Sequence, residues 1–259
     1  LKPVPKFPFP DSALSIWRAA QPAIPFTVTG EWGGVLGEQN GVFETWIFPV
    51  KVLSQFHASV ELDNYPVPID LNPLAASIEV RPGWTTIVYS HAAFTVRQHM
   101  FAPRGREQPA APVVFFEFDS MRPMRLVFRF APDMLRMWPA ANFGRPSTSW
   151  VPQGESGYYL LRTDNPRLVG GVALPRATPG VLPPYQERPK AYTSELKLRV
   201  DPEKDRGLFF PLLVAVGESS DEVAGQLRRQ NEEIARLFAE TQNHYRALLA
   251  ELTSVETPD

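Results

Sequence analysis

Cysteine is absent from this 259-residue chain. That excludes a disulfide framework and thiolate metal sites, while leaving the compartment open, since secreted proteins can also lack the residue. Histidine is scarce. The four are His57, His91, His99 and His244, and none stands in the His-x-His or His-Glu-x-x-His spacing that a zinc site uses. His91 and His99 could share one strand face, but eight residues of continuous strand would hold them roughly 26 Å apart, too far to ligate one metal. No metal site is therefore expected. A formal net charge of −2 at pH 7 supplies no attraction to nucleic acid or to an anionic membrane, and neither is expected as a partner. No apolar run is long enough to cross a bilayer. A Gly-x-Ser-x-Gly nucleophile elbow is missing. Gly30-Glu31-Trp32-Gly33-Gly34 is glycine-rich but opens no helix, so it reads as a turn or bulge rather than a phosphate cradle.

What is there is strand pattern. The chain is 44% hydrophobic and 21% charged, and its 28 prolines are spread along it, which suits many short elements joined by turns. From about Ile24 to Gly217 the dominant period is two. Leu126, Phe128 and Phe130 fall on one face, with Arg125 and Arg129 on the other. Residues 94–101 and 194–200 alternate in the same way, offering one face to a core and one to water. Residues 112–118 and 208–216 are apolar on both faces and read as central strands, although Pro211 argues for an edge or a bulge. Turn signals recur at 81–83, 103–105, 164–166 and 201–205. A dozen or more strands at hairpin spacing predict an all-β fold, a large two-sheet antiparallel β-sandwich.

At Ser219 the period changes. Val223, Leu227, Ile234, Phe238, Tyr245, Leu249 and Leu252 form one helical stripe, broadened by Leu237 and Leu248. Ser219 and Glu222 make a capping box at its start. Unbroken, the helix would run roughly 45–50 Å. The domain assignment is residues 1–218 for the sandwich and 219–259 for an amphipathic linker helix.

No catalytic constellation emerges. Glu31, Glu38, Asp133, Glu155 and Glu187 fall on expected loops, but the separation of a carboxylate pair is spatial and cannot be read from sequence. Two long segments, 134–153 and 175–190, are more suggestive. Trp138, Phe143 and Trp150 stand with Arg136, Asn142 and Arg145 in the first, and Tyr185 with Gln186, Glu187 and Arg188 in the second. Sugars stack their C–H faces on aromatic rings while planar polar groups bind their hydroxyls. Trp138, Asn142, Arg145, Tyr185, Glu187 and Arg188 are therefore the candidate oligosaccharide contacts. The competing reading makes these rings anchors that hold long loops to the sandwich.

Four segments carry a resemblance: Gly41-Val-Phe-Glu-Thr-Trp-Ile-Phe-Pro-Val-Lys51, Tyr89-Ser-His-Ala-Ala-Phe-Thr-Val-Arg-Gln-His-Met-Phe101, Met134-Leu-Arg-Met-Trp-Pro139 and Leu252-Thr-Ser-Val-Glu-Thr-Pro-Asp259. Together they resemble the N-terminal region of bacterial glycogen-debranching-enzyme-like proteins, amylo-α-1,6-glucosidase relatives among the (α/α)6-barrel glycoside hydrolases. The resemblance implies a β-supersandwich, then a linker helix, then a catalytic barrel absent from this chain. It places the general acid and base on that barrel, so no residue here inherits them, and it implies no organic cofactor. It also implies that the two long segments pack beside the barrel and rim its substrate cleft. Two alternatives stand beside it: a free-standing carbohydrate-binding module, and an assembly domain whose helix docks on a partner without any ligand. The chain opens on Leu1 rather than Met, which is read as the loss of an N-terminal segment, with an extracytoplasmic location as the expectation.

Overall fold

Strands whose side chains alternate must each find cover for one face, and strands apolar on both faces need cover twice. The computed structural model meets both demands with two stacked sheets and one helix laid across an outer surface. It describes residues 1–11, 14–63, 65–104, 111–137, 139–144, 146–180 and 193–252.

The first strands are β1 (Val4–Pro5), β2 (Ile16–Ala19), β3 (Pro25–Thr29), β4 (Gly33–Glu38), β5 (Phe43–Ile47), β6 (Val50–Leu62) and β7 (Ile69–Asp70). A run of hairpins follows with β8 (Ala75–Arg81), β9 (Trp84–His91), β10 (Phe94–Phe101), β11 (Val113–Ser120), β12 (Met124–Met137) and β13 (Ala140–Ala141). The last are β14 (Ser147–Gln153), β15 (Ser156–Arg162), β16 (Val169–Ala173), β17 (Thr178–Pro179), β18 (Ser194–Val200) and β19 (Leu208–Gly217), with a single-turn helix α1 (Pro202–Asp205) before β19. The long helix α2 (Ser220–Glu251) closes the fold. One ten-stranded sheet runs β14-β15-β16-β19-β11-β10-β9-β8-β2, with β1 added beside β19. A nine-stranded sheet runs β17-β18-β12-β6-β5-β4-β3, with β7 and β13 paired beside β6 and β12. Every pairing is antiparallel among the described residues.

The main core lies between the sheets. Phe56 of β6 stacks on Phe43 at 4.5 Å and on Phe128 at 5.5 Å, and Phe116 of the opposite sheet meets Phe128 at 4.9 Å. The two faces of β11 and β19 are both buried, as their sequences require. Phe116, Phe210 and Leu212 point into the main core, while Phe115 and Phe209 belong to a second cluster under α2. Along the helix, Val223 and Leu227 cover Leu213 and Ala215, and farther along Ile234 and Phe238 cover Phe115 and Phe209. A Cβ at Gly171 would fall 2.5 Å from Val223 Cγ1, so glycine there lets the helix approach the sheet. With 32 residues the helix spans about 48 Å.

Pro211 departs from expectation. It lies in the interior of the sheet, paired opposite Phe115. On the other side of β19, β1 pairs only as far as Phe209 and β16 begins at Leu213. The proline sits where one neighbour has ended and the next has not begun, so its missing N–H costs no ladder bond there. The 134–153 segment also differs from the long irregular loop expected. Its start extends β12 and its end is β14.

The helix start matches its sequence. Ser219 Oγ accepts from Glu222 N–H at 3.2 Å, and Glu222 reaches back to Glu218 N–H at 2.8 Å, one residue before the cap. Ser219→Ala is expected to lower unfolding free energy by about 1 kcal/mol in urea titration.

Candidate functional site, a cleft under the N-terminal segment

The outer face of the ten-stranded sheet is not all apolar. Register fixes one row of neighbours across it: Trp17 opposite Glu79, Glu79 opposite Thr86, Thr86 opposite His99, and His99 opposite Phe115. The next row brings Val88, Arg97 and Glu117 together. Over these rows passes the N-terminal segment. Lys2 N–H donates to Asn231 Oδ1 at 2.8 Å and Asn231 Nδ2 donates back to Lys2 O at 2.9 Å, tying the segment to α2. Phe7 and Phe9 then insert between helix and sheet, each about 5 Å from Phe238 and within 6 Å of Phe209. Between this strap and the sheet a cleft of about 500 Å³ remains, lined by Lys6, Phe9, Glu79, Arg97, His99 and Glu117 among others.

His99 forms the floor at 4% exposure. Its alternation partner residues predicted a water-facing side chain, but Phe9 covers the ring at a centroid distance of 4.8 Å. Nδ1 lies 2.9 Å from Thr86 Oγ1. Nε2 lies 3.9 Å from Glu117 Oε1 and has no hydrogen-bond partner among the described residues. Glu117 is held instead by Lys6 at 2.7 Å and Arg97 at 2.8 Å. Thr86, His99 and Glu117 thus lie in the order hydroxyl, imidazole, carboxylate, yet the carboxylate is beyond hydrogen-bonding reach of the ring and does not orient it as a catalytic triad requires. Carboxylate and guanidinium groups and aromatic rings line the cleft together, and the exposed Trp17 stands on the same sheet face as Glu79.

Burial holds the His99 pKa below its ordinary 6.5, with Arg97 and Lys6 adding to the shift and Glu117 opposing it. For Glu117 burial favours the neutral acid, but the Lys6 ammonium in direct contact outweighs it and the carboxyl is held well below its ordinary 4.5. The signs agree. An unfolded histidine takes up a proton near pH 6.5 that folded His99 refuses, and an unfolded glutamate takes one up near pH 4.5 that folded Glu117 refuses. Stability is therefore expected to fall on acidification through about pH 6.5 and again below about pH 4.5, and His99→Gln to flatten the first part of that decline, read as Tm against pH.

Of the six residues expected from sequence to bind sugar, Asn142 lies among the described residues. Trp138, Arg145, Tyr185, Glu187 and Arg188 lie outside the described residues. Asn142 is exposed, and its Oδ1 accepts from Gly144 N–H at 3.0 Å, so it stabilises its own turn. Trp150 is on β14, half-buried, with its ring 5.1 Å from that of Tyr159, which makes it an anchor. Asp133 lies on β12 and is 3.7 Å from Lys51, and Glu38 accepts from Asn40 Nδ2 at 2.9 Å. His91 and His99 occupy adjacent strands of one hairpin rather than one strand. Five residues of register separate them, about 17 Å along the strands, still too far for a shared ion. The cleft itself was missed by sequence reasoning, because its residues meet only through strand register. Its one sequence signal was the apolar opening Phe7 and Phe9 before the first strong strand.

Fold and cleft together define a two-sheet antiparallel β-sandwich with a helix packed on one outer face. No family model matches the chain, and no curated protein does. Solved structures do. A bacterial glucoamylase, solved in complex with acarbose, aligns over 98% of this chain with a TM-score of 0.63 and 12% identity. The chain spans 40% of that glucoamylase's length. A chain from the human microbiome described as a kojibiose phosphorylase aligns over 90% of this chain and 31% of its own, with a TM-score of 0.45 and 10% identity. At such identity the glucoamylase likeness establishes the sandwich fold.

Proposed function

We propose that this chain is a non-catalytic β-sandwich domain of a glycoside hydrolase, which supports an (α/α)6 catalytic barrel and helps to rim its carbohydrate cleft. The observation that carries the reading is that the whole chain shares its fold with two-fifths of a glucoamylase: coverage is 98% on one side and 40% on the other. The glycogen-debranching type comes from the four resembling segments alone. The helix supports the arrangement. Val223, Leu227, Ile234 and Phe238 are buried on the domain's own sheet, whereas Leu248 and Leu252 farther along the stripe are 41% and 57% exposed. Those last turns are the part of α2 left to meet a barrel. Trp138, Asn142, Arg145, Tyr185, Glu187 and Arg188 are the residues proposed to face the cleft.

The test is the reading frame and the partner it encodes. Paired amphipathic helices after Asp259, or in a separate chain that co-purifies with this one, are the expected result. A frame that stops at Asp259 with no helical partner overturns the proposal. With a partner in hand, Leu248→Asp plus Leu252→Asp should weaken the domain–barrel association while leaving the sandwich folded.

A further inference from the structure

We infer that the outer-face cleft, with the exposed Trp17 on the same sheet face, is a binding site for a neutral saccharide, separate from residues 138–145 and 185–188. The inference takes its choice of sugars from the proposed carbohydrate context, and its residues from the cleft alone.

Charge decides the ligand class. Among the lining residues, Lys6, Arg81 and Arg97 stand against Asp11, Glu79 and Glu117, three of each sign. Glu117 is already paired with Lys6 and Arg97, and Glu79 with Arg81 at 2.7 Å. Asp11 is the acidic lining residue outside these pairs and is exposed, so an anion meets a cleft whose cations are all paired, whereas a neutral ligand rich in hydroxyls adds bonds at edges the pairs leave open. Such edges exist. Among the described residues, Arg97 meets Glu117 through Nη1. Both Arg81 contacts go to Glu79 Oε1, and Oε2 has no partner among the described residues. At the floor, burial leaves His99 Nε2 with an uncompensated desolvation cost, which a hydroxyl entering beside Glu117 would relieve.

The walls fit the same chemistry. Phe9 and Trp84 stack at 5.6 Å with planes 19° apart and close one side. Trp17 stands on the same sheet face as Glu79 and is 69% exposed. Neighbouring strands are about 4.8 Å apart, so Trp17 lies about 10 Å from Thr86 along the row, a reach suited to an oligosaccharide rather than to one sugar ring. An aromatic face beside planar carboxylate and guanidinium groups is the pairing that binds a sugar's C–H surface and its hydroxyls together.

The experiment is calorimetric titration of the chain with maltotriose, isomaltotriose and cellotriose, with glucose 1-phosphate as the charged control. At least one neutral trisaccharide should bind and the charged sugar should not. Trp17→Ala and Arg97→Ala should each weaken binding about tenfold or more, with circular dichroism and Tm recording an intact fold. Absence of binding by all three neutral sugars overturns the inference, as does binding that survives both substitutions. Loss of binding in Trp138→Ala or Tyr185→Ala alone would put the sugar at those residues instead, overturning the cleft assignment while leaving the domain proposal intact. Conversely, failure to find a barrel partner would sink the domain proposal without touching these titrations.

Discussion

Phe238→Ala should cost about 3–5 kcal/mol of unfolding free energy, the largest effect expected from any single truncation along α2. The ring is 2% exposed and sits at the junction of three parts of the chain. It meets Phe7 and Phe9 of the N-terminal segment at 5.1 and 5.2 Å, Phe101 of β10 at 5.3 Å, and Trp84 of β9 at 5.7 Å. Truncation removes the ring's transfer energy and opens a cavity that no single neighbour can fill, because the sheet behind it is rigid. The consequence is also local. Both the strap and the helix lean on this ring, so hydrogen exchange in residues 2–9 and 230–245 should accelerate together. Met121→Ala, at a side chain 85% exposed, is the comparison and should change stability by no more than about 0.5 kcal/mol. If the two substitutions cost the same in urea titration, the helix is not held by this cluster.

Arg176→Ala should cost about 3 kcal/mol by a different mechanism. Arg176 grips Asp205 with two parallel bonds of 2.6 and 2.8 Å, donates to Arg199 O at 2.9 Å, and lies over the Phe210 ring at 5.1 Å. The Asp205 side chain is 1% exposed, so removing the guanidinium leaves a buried carboxylate without its counter-charge. Asp205→Asn should cost less, because Arg176 is 35% exposed and can turn to water. Burial pushes the Asp205 pKa up, but the Arg176 bonds and the Asp201 N–H outweigh it and hold the group below its ordinary 3.8. That contribution is present above pH 3.8 and is lost as pH falls through the lower folded value. In Arg176→Ala the surviving burial reverses the shift, so acid unfolding should begin at a higher pH than in the parent. Equal acid profiles for the two proteins would contradict this account.

Much of the fold was readable from residue order because its determinants are local. Alternation at 124–130 and 194–200 assigned β12 and β18, and the two-sided apolar runs at 112–118 and 208–216 marked the strands that are covered twice. Ser219 and Glu222 located the helix start to the residue. Reading failed where a distant segment supplies the environment. His99 looked like a solvent-facing position until Phe9, ninety residues earlier in the chain, was laid over it. Glu195 alternates as a polar residue should, yet it is 5% exposed, with Arg129 at 2.8 Å and Lys197 at 3.4 Å. Pro211 argued for an edge because sequence cannot say that the strand beside it changes identity at that point. Trp150 looked like a loop aromatic because Pro152 and the serines around it disguise a strand that pairs in full register with β15.

By itself, then, the sequence determined a cysteine-free all-β chain with two-sheet patterning and one capped amphipathic helix, since hydrophobic period and capping chemistry act over a few residues. Which outer face the helix covers, which charges meet over Glu117, and the existence of the cleft were decided only by tertiary structure. Strand register brings residues 17, 79, 86, 99 and 115 into one row, and no local signal encodes a register set by the packing of two whole sheets.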